Sequence, residues 1–252
     1  MTNIKERLLA HYHRAIEHYG EKAVLGVFLY GSWNYGTNLP DSDVDTKCIL
    51  IPNLYSLAIK PYEVKHLHID DEVCECMTIM HMIANWKKQN INFVEVLFTD
   101  YFIINPIYEA EWNRIFTAEI RKSIARYDIR AAVLSMAYQA LHTVKQDPAD
   151  LKKIMNATRI AHTLQRLMAE EDSSYKDIIH VPNYIAQIRT AQTPIGDSYV
   201  ESLIVYFEGA IVRAKDKEVK FIRKAEIKKA ELDLYLEEAV LSMIKYRIGA
   251  EE

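Results

Sequence analysis

Glycine is scarce in this sequence, with 7 glycines among 252 residues where a share of about 7% is usual. Four of the seven lie in the first 36 positions, and none occurs between Gly36 and Gly196. Glycine is unfavourable inside helices and is needed where the backbone turns tightly or approaches a ligand. The distribution therefore predicts a largely helical body whose special backbone conformations lie near the N-terminus.

Other absences exclude whole classes of protein. Three cysteines, Cys48, Cys74 and Cys76, are too few for a disulfide framework, and no apolar signal segment precedes them, so a reducing, cytoplasmic setting is expected. No stretch approaches the roughly 18 apolar residues of a membrane span, and the longest, Ala23–Tyr30, suits a buried strand. With 50% hydrophobic residues, 26% charged residues and a net charge of -4, the chain is expected to be globular, which excludes disordered and collagen-like classes.

Hydrophobic patterning divides the chain into two parts near Asn105 and Pro106. Short apolar runs bounded by turn residues precede this point, and long stretches with helical spacing follow it. The predicted elements of the first part are the strands Ala23–Tyr30, Asp43–Ile51, Val64–Ile69 and Glu72–Ile79, with helices at Ile4–Tyr19 and Ile79–Lys88. The predicted helices of the second part cover residues 107–125, 128–146, 149–170, 182–191, 197–215 and 219–247. We expect an α+β fold, with a mixed sheet and flanking helices in residues 1–105 and an all-helical domain in residues 106–252.

The segment between the first two predicted strands carries the candidate chemistry. Gly31 and Ser32 directly follow a buried strand, where exposed backbone N–H groups and a hydroxyl can contact phosphate oxygens. Asp43 and Asp45 stand two apart at the start of the next predicted strand, so both carboxylates point to one face. Two adjacent carboxylates repel each other unless a cation lies between them, and Mg²⁺ prefers such oxygen ligands. The pattern indicates a site for a metal ion and a phosphate-bearing ligand.

These motifs resemble a known family. Gly31-Ser32, Tyr35-Gly36 and Ser42-Asp43-Val44-Asp45 are similar to the GS…DxD signature of the DNA polymerase β-like nucleotidyltransferases. The GSxxYGT form of the first motif is most similar to a bacterial and phage branch of predicted nucleotidyltransferases, some of them associated with RNA repair. Residues 86–98 resemble the same branch, as does the helix carrying Lys152, Lys153 and Arg159.

The resemblance implies transfer of a nucleoside monophosphate from an NTP to an acceptor hydroxyl, with release of pyrophosphate. It implies Mg²⁺, or Mn²⁺ in its place, held by Asp43 and Asp45 against the triphosphate. A third carboxylate, which would complete a second metal site or accept the acceptor's proton, is matched by Glu75, with Glu72 as the alternative. The residues that the resemblance assigns to nucleotide binding are Gly31, Ser32, Tyr35, Ser42, Lys152, Lys153 and Arg159. The helical domain is expected to complete the cleft for nucleotide and acceptor.

A predicted hairpin bears on the third carboxylate and on a competing zinc interpretation. If Asp70 and Asp71 form its turn, Glu75 lies opposite His66. The side chains that suggest zinc ligands are His66, His68, Cys74 and Cys76. The hairpin would put the histidines and the cysteines on opposite faces, which favours ordinary strand residues over a metal site. On the first helix, His11, His13 and His18 are expected on a solvated face.

Two basic stretches mark the second part of the chain. Polar and mostly basic residues recur along one side of the predicted helix 149–170, at Lys152, Asn156, Arg159, Thr163 and Arg166. This side is either a solvated face or, in a nucleotidyltransferase, the side facing the triphosphate. Between Arg213 and Lys229, eight positively charged residues stand against three negatively charged ones, a pattern that suits either RNA phosphates or an ordinary helix surface.

Three interpretations of the function remain open at this point. The first is an active nucleotidyltransferase, with an RNA end, a protein hydroxyl or a small molecule as acceptor, RNA being favoured by the branch resembled and the Arg213–Lys229 run. The second is a non-catalytic nucleotide-binding module on the same fold, which the intact pair of aspartates disfavours. The third is an interaction protein in which the motif arises by coincidence.

Overall fold

The computed structural model describes residues 3–60, 63–168, 179–192, 195–216 and 227–249. Its strands are β1 (Val24–Leu29), β2 (Thr46–Leu50), β3 (Val64–Ile69), β4 (Glu72–Thr78) and β5 (Phe102–Ile104). They form a five-stranded sheet in the order β3-β4-β2-β1-β5. β2 and β4 run parallel, and the other neighbouring pairs are antiparallel. The expected α+β class with a mixed sheet is confirmed.

Helices flank this sheet and make up most of the chain beyond it. The helices of the first part are α1 (Ile4–Tyr19), α2 (Ser32–Tyr35), α3 (Leu54–Ile59), α4 (Ile79–Lys87) and α5 (Ile91–Val94). Those of the second part are α6 (Glu109–Ile115), α7 (Ala118–Ala125), α8 (Ile129–Gln146), α9 (Leu151–Met168), α10 (Asn183–Ile188), α11 (Asp197–Lys215) and α12 (Lys229–Gly249). Short 3₁₀ segments cover Glu21–Ala23, Glu95–Phe98 and Pro106–Tyr108.

Local sequence signals explain several of these boundaries. Asn3 and Glu6 form a capping box that starts α1, and Gly20 ends it with φ +82°, a backbone angle that favours glycine. The helix predicted over 107–125 is in fact two helices, because the Thr117 side chain accepts the N–H of Ile120 and begins α7. The ends of the helices predicted over 149–170 and 219–247 lie partly outside the described residues.

Both faces of the sheet are covered, and the alternation of side chains along β2 assigns each residue to a face. Cys48 packs with Leu8 and Tyr12 of α1, whereas Ile49, on the other face, belongs to the core shared with the later helices. All six residues of β1 are buried in consequence, as its continuous apolar run predicts. The odd-numbered residues of β2 therefore point toward the helical part of the chain.

One large hydrophobic core joins the sheet to the helices that follow it. Phe28 of β1 and Trp112 of α6 meet in it with ring centroids 5.1 Å apart. The division at residues 105 and 106 stays a prediction. In the described ranges, none of the helices combines the length and the apolar character needed to cross a bilayer.

Candidate active site

The turn after β1 has a backbone that depends on glycine at two positions. Gly31 has φ +83° and Gly36 has φ +75°, angles that side chains with a Cβ rarely adopt. A Cβ on Gly31 would also lie 3.0 Å from Oδ2 of Asp45. The N–H of Tyr30 donates to the carbonyl of Asp45 at 3.0 Å. The turn and the second aspartate are thus in direct contact, across fifteen residues of chain.

The strand predicted from Asp43 begins instead at Thr46, so both aspartates lie in the loop before β2. Side chains hold this loop in place: the indole N–H of Trp33 donates to the carbonyl of Asp43 at 2.9 Å, and the N–H of Val44 donates to Glu72 at 3.1 Å. Because these bonds replace strand pairing, the β-ladder starts later than the sequence pattern predicts.

Asp43 is exposed and Asp45 half-buried, and their charges interact. Burial raises the pKa of Asp45, and the neighbouring carboxylate of Asp43 raises it further, while Lys47 and Lys152 act in the opposite direction. A carboxylate whose ionisation is opposed by burial and by a neighbouring carboxylate is stabilised by a nearby cation. Asp43 and Lys152 of α9 are thus both close enough to influence Asp45, and the metal-binding role of the two aspartates stays a prediction.

A cleft of about 270 Å³ opens between this turn and the start of α9. The residues that line it are Gly31, Ser32, Tyr35, Thr37, Asp41, Ser42, Asp43, Asp45, Lys152, Met155, Asn156 and Arg189. Seven of them are residues that the sequence resemblance assigns to the site, namely Gly31, Ser32, Tyr35, Ser42, Asp43, Asp45 and Lys152, and Asn156 belongs to the polar side of the predicted helix 149–170. Arg189, just after α10, was missed, because no motif surrounds it and only the fold brings it to the cleft.

The two remaining basic candidates of α9 lie elsewhere. Lys153 is not among the cleft-lining residues, and its ammonium pairs with Asp147 at 3.1 Å. Arg159 is 7% exposed, and its guanidinium lies 3.8 Å from the centroid of the Tyr35 ring. Its Nε and Nη1 are buried and have no hydrogen-bond partner within the described part of the chain. The basic side of α9 is therefore turned inward at Arg159, and the solvated-face interpretation is wrong there.

Glu75 lies where the hairpin predicts, but it has an unexpected partner. The register pairs it with His66 on β3 and with Lys47 on β2. Lys47 is 2% exposed, lies 3.9 Å from the centroid of the Tyr30 ring, and forms an ion pair with Glu75. Glu75 does not line the cleft, yet its charge contributes to the raised pKa of Asp45. Its role as a third ligand or base stays a prediction.

Glu72, the alternative third carboxylate, braces the aspartate loop. It forms an ion pair with Arg7, whose Nη2 also donates to the carbonyl of Ser42 at 3.2 Å. His11 Nε2 lies 3.0 Å from the other Glu72 oxygen. His11 is fully buried, so the expectation of a solvated face is wrong for it, because Thr46 and Glu72 together accommodate its two ring nitrogens.

The structure does not bring the suggested zinc ligands together. Cys74 and Cys76 are buried on the α1 side of the sheet, and His66 and His68 are exposed, because their positions in the ladder alternate. Among the residues that the structure describes, no group of three or more His, Cys, Asp or Glu side chains is placed to hold a metal ion. A cation at Asp43 and Asp45 would need further oxygen atoms from a bound ligand.

Comparison with known proteins gives little more. No model of a protein family matches the sequence, and no curated protein matches it. Among solved structures, the chain is similar to a nucleotidyltransferase-like protein from Exiguobacterium sibiricum 255-15, with 12% identity and a TM-score of 0.31, over 95% of this chain and 91% of that one. A TM-score of this size supports no conclusion about function, so only the geometry of the cleft bears on it.

Proposed function

We propose that this protein is a DNA polymerase β-like nucleotidyltransferase that moves a nucleoside monophosphate from an NTP to an acceptor hydroxyl. The observation that carries the proposal is the cleft itself, in which Asp43 and Asp45 share one wall with the Gly31-Ser32 turn and α9 presents Lys152 beside them. A triphosphate brings negative charge and oxygen ligands together, and both halves of this cleft suit it.

The donor set fits a hard divalent cation. Asp43 and Asp45 offer oxygen ligands only, and the pKa of Asp45 is raised first by burial and then by the neighbouring carboxylate of Asp43. Mg²⁺ is usually bound by one or two carboxylates together with substrate phosphates and water, which matches a site with two carboxylates. When bound, the ion would offset the charge that develops on the phosphate oxygens.

The residues of the chain have separate tasks in this scheme. Lys152 and Arg189 attract the triphosphate from the helical side, and Ser32 contacts phosphate from the turn. The guanidinium of Arg159, whose Nε and Nη1 have no hydrogen-bond partner among the described residues, lies over the Tyr35 ring and adds positive potential behind it. Glu75 is our candidate for the base that accepts the proton of the acceptor hydroxyl. Its charge contributes to the raised pKa of Asp45, and its side chain is 22% exposed.

A second pocket beside Asp43 supports another candidate for the acceptor substrate. A pocket of about 380 Å³ adjoins Asp43 and is lined by the acidic residues Glu6, Asp70, Asp71 and Glu72, with Arg7 as its cation. Acidic walls repel phosphates and attract cationic alcohols. RNA remains our proposed acceptor because of the Arg213–Lys229 run, most of which lies outside the described residues, and a small cationic alcohol is the alternative.

The test incubates the purified protein with each of the four α-labelled NTPs, Mg²⁺ and one acceptor pool at a time: total RNA, protein, or small cationic alcohols. We expect label transfer with pyrophosphate release, and a loss of at least about a hundredfold in Asp43→Asn and Asp45→Asn, since metal stabilisation of the reaction is worth several kcal/mol. The fold of both variants should survive, as judged by circular dichroism.

Other outcomes separate the alternatives. NTP binding without pyrophosphate release in every pool would support a non-catalytic nucleotide-binding module. Full activity in either variant, or no NTP binding by the unaltered protein, contradicts the proposal.

A further inference from the structure

A buried carboxylate lies beneath the glycine turn, outside the residues that line the cleft. Glu95 is fully buried in the 3₁₀ segment after α5. Its Oε2 accepts the N–H of Gly31 at 3.3 Å and the side-chain amide of Asn34 at 3.3 Å. Its Oε1 accepts the hydroxyl of Tyr35 at 2.5 Å. One carboxylate therefore binds three residues of a five-residue turn.

Burying the Glu95 carboxylate lowers the stability of the folded protein. Desolvation raises the pKa of Glu95 to about 7, although the hydrogen bonds and the charge of Arg159 partly oppose that rise. An apolar side chain would fill the space without that desolvation cost. A buried carboxylate with a perturbed pKa beside a cleft is a candidate for a functional role.

The same carboxylate connects the turn to the helix on the other side of the cleft. Tyr35 lies between Glu95, which accepts its hydroxyl, and Arg159, which stacks on its ring at 3.8 Å. Arg159 belongs to α9, the helix that also presents Lys152 and Asn156 to the cleft. The two walls of the cleft are thus held together through Tyr35.

Asn34 adds rigidity to the turn. Its side-chain amide also donates to the carbonyl of Leu29 at 3.0 Å, and its Oδ1 accepts the hydroxyl of Thr99 at 2.7 Å. The turn is therefore fixed at its start, at its middle and at its end. A displacement of Glu95 would therefore shift Gly31. Because Gly31 lies next to Asp45, the shift would also change the contact between the turn and Asp45.

We propose that Glu95 is a positioning residue of the nucleotide site, which fixes the Gly31–Tyr35 turn against α9 and thereby sets the affinity for the triphosphate. It acts through Gly31 and Tyr35 and does not touch the substrate. The proposal rests on the proposed function, since it concerns binding of the NTP in the same cleft. The polar and charged groups that face this network are Gly31 N–H, Asn34 and Tyr35 from the turn, Tyr30 just before it, Asn92 from α5 and Arg159 from α9.

The experiment measures the dissociation constant of each NTP with Mg²⁺ by calorimetry, for the unaltered protein and for Glu95→Gln, at pH 6 and pH 8. A glutamine accepts on one atom only and carries no charge for Arg159, so we expect binding at pH 8 to weaken about tenfold, as for loss of a charged hydrogen bond. Glu119→Gln, at an exposed position of α7, serves as the control and should bind as the unaltered protein does.

The pH dependence distinguishes positioning from a purely structural role. In the unaltered protein, protonation of Glu95 removes its charge, so its affinity at pH 6 should fall toward that of Glu95→Gln. The ratio of the two dissociation constants should therefore shrink from about ten to about two, since ionisation of the nucleotide itself affects both proteins equally. With the acceptor that supports activity, KM should rise while kcat stays within about threefold.

Tyr35→Phe is the second variant, because it removes only the hydroxyl and keeps the ring on Arg159; we expect about threefold weaker binding. If Glu95→Gln fails to fold, the NTP affinity of Tyr35→Phe tests the proposal in its place. If the unaltered protein binds NTP and a folded Glu95→Gln binds it equally well at both pH values, this inference is wrong and the proposed function stands. The inference is equally wrong if only Tyr35→Phe folds and its affinity is unchanged. If the unaltered protein binds no NTP, both this inference and the proposed function are wrong.

Discussion

The buried Lys47 and the half-buried Glu75 form an ion pair across the parallel strands β2 and β4, on the sheet face that leads to the cleft. The carboxylate that matches the third acidic position of the nucleotidyltransferase motif therefore has a cation from its own chain. Lys47 also lies against the rings of Tyr30 and Phe93, at 3.9 and 4.3 Å from their centroids. A metal ion bound by Glu75 would have to displace this lysine.

The first prediction concerns the stability of this pair. Glu75→Gln leaves a buried lysine without its partner, so we expect the free energy of unfolding to fall by about 3 kcal/mol. The double variant Glu75→Gln with Lys47→Met should recover most of that loss, because methionine needs no partner. Urea denaturation of the single and double variants measures both values, and a double variant no more stable than Glu75→Gln would contradict the ion-pair explanation.

The second prediction concerns the glycine turn. Gly31→Ala should destabilise the protein by about 1–3 kcal/mol, because φ is +83° and the new Cβ would lie 3.0 Å from Asp45 Oδ2. Gly209→Ala is the matched control: Gly209 lies in α11 with nothing within 4 Å of its added Cβ, and the change should stabilise by about 0.5–1 kcal/mol. Thermal unfolding of both variants measures these changes in stability. Equal changes in the two variants would contradict the prediction.

The third prediction separates two adjacent lysines. Lys152 lines the cleft, whereas Lys153 pairs with Asp147. We expect Lys152→Ala to weaken NTP binding about tenfold, the effect of removing one charged contact. Lys153→Ala should change it less than about twofold, although the sequence resemblance assigns both residues to the nucleotide. Calorimetric titration gives the two constants, and a larger loss in Lys153→Ala would reverse the assignment.

The fourth prediction is a pH dependence of stability. The pKa of Glu95 is raised from its usual 4.5 to about 7, so between these values the folded state holds a proton that the unfolded state releases. Stability from this group is therefore present below about pH 4.5 and lost as pH rises to about 7, by about 3 kcal/mol at most. Unfolding free energies measured from pH 4.5 to 8 should fall more for the unaltered protein than for Glu95→Gln. Parallel curves would show that Glu95 does not titrate in this range.

Much of the fold could be predicted from local patterns. The apolar run at β1, the hairpin at Asp70 and Asp71, and the long helices α8, α9 and α11 were all predictable, since periodicity and turn residues act over short distances. The short helix α2 and the edge strand β5 were not, because a few residues carry too little periodicity. The start of β2 was misplaced because Trp33 and Glu72 hold the preceding loop.

By itself the sequence determined the α+β class, through hydrophobic patterning along the whole chain, and the candidate pair Asp43 and Asp45, through residue spacing within one segment. Only the tertiary structure decided that Lys152 faces that pair while Lys153 does not, that Lys47 holds Glu75, and that Glu95 fixes the turn. Each of these contacts joins residues far apart in the chain, and their partners are selected by burial and charge within the folded core. Such selection leaves no periodic mark in the sequence.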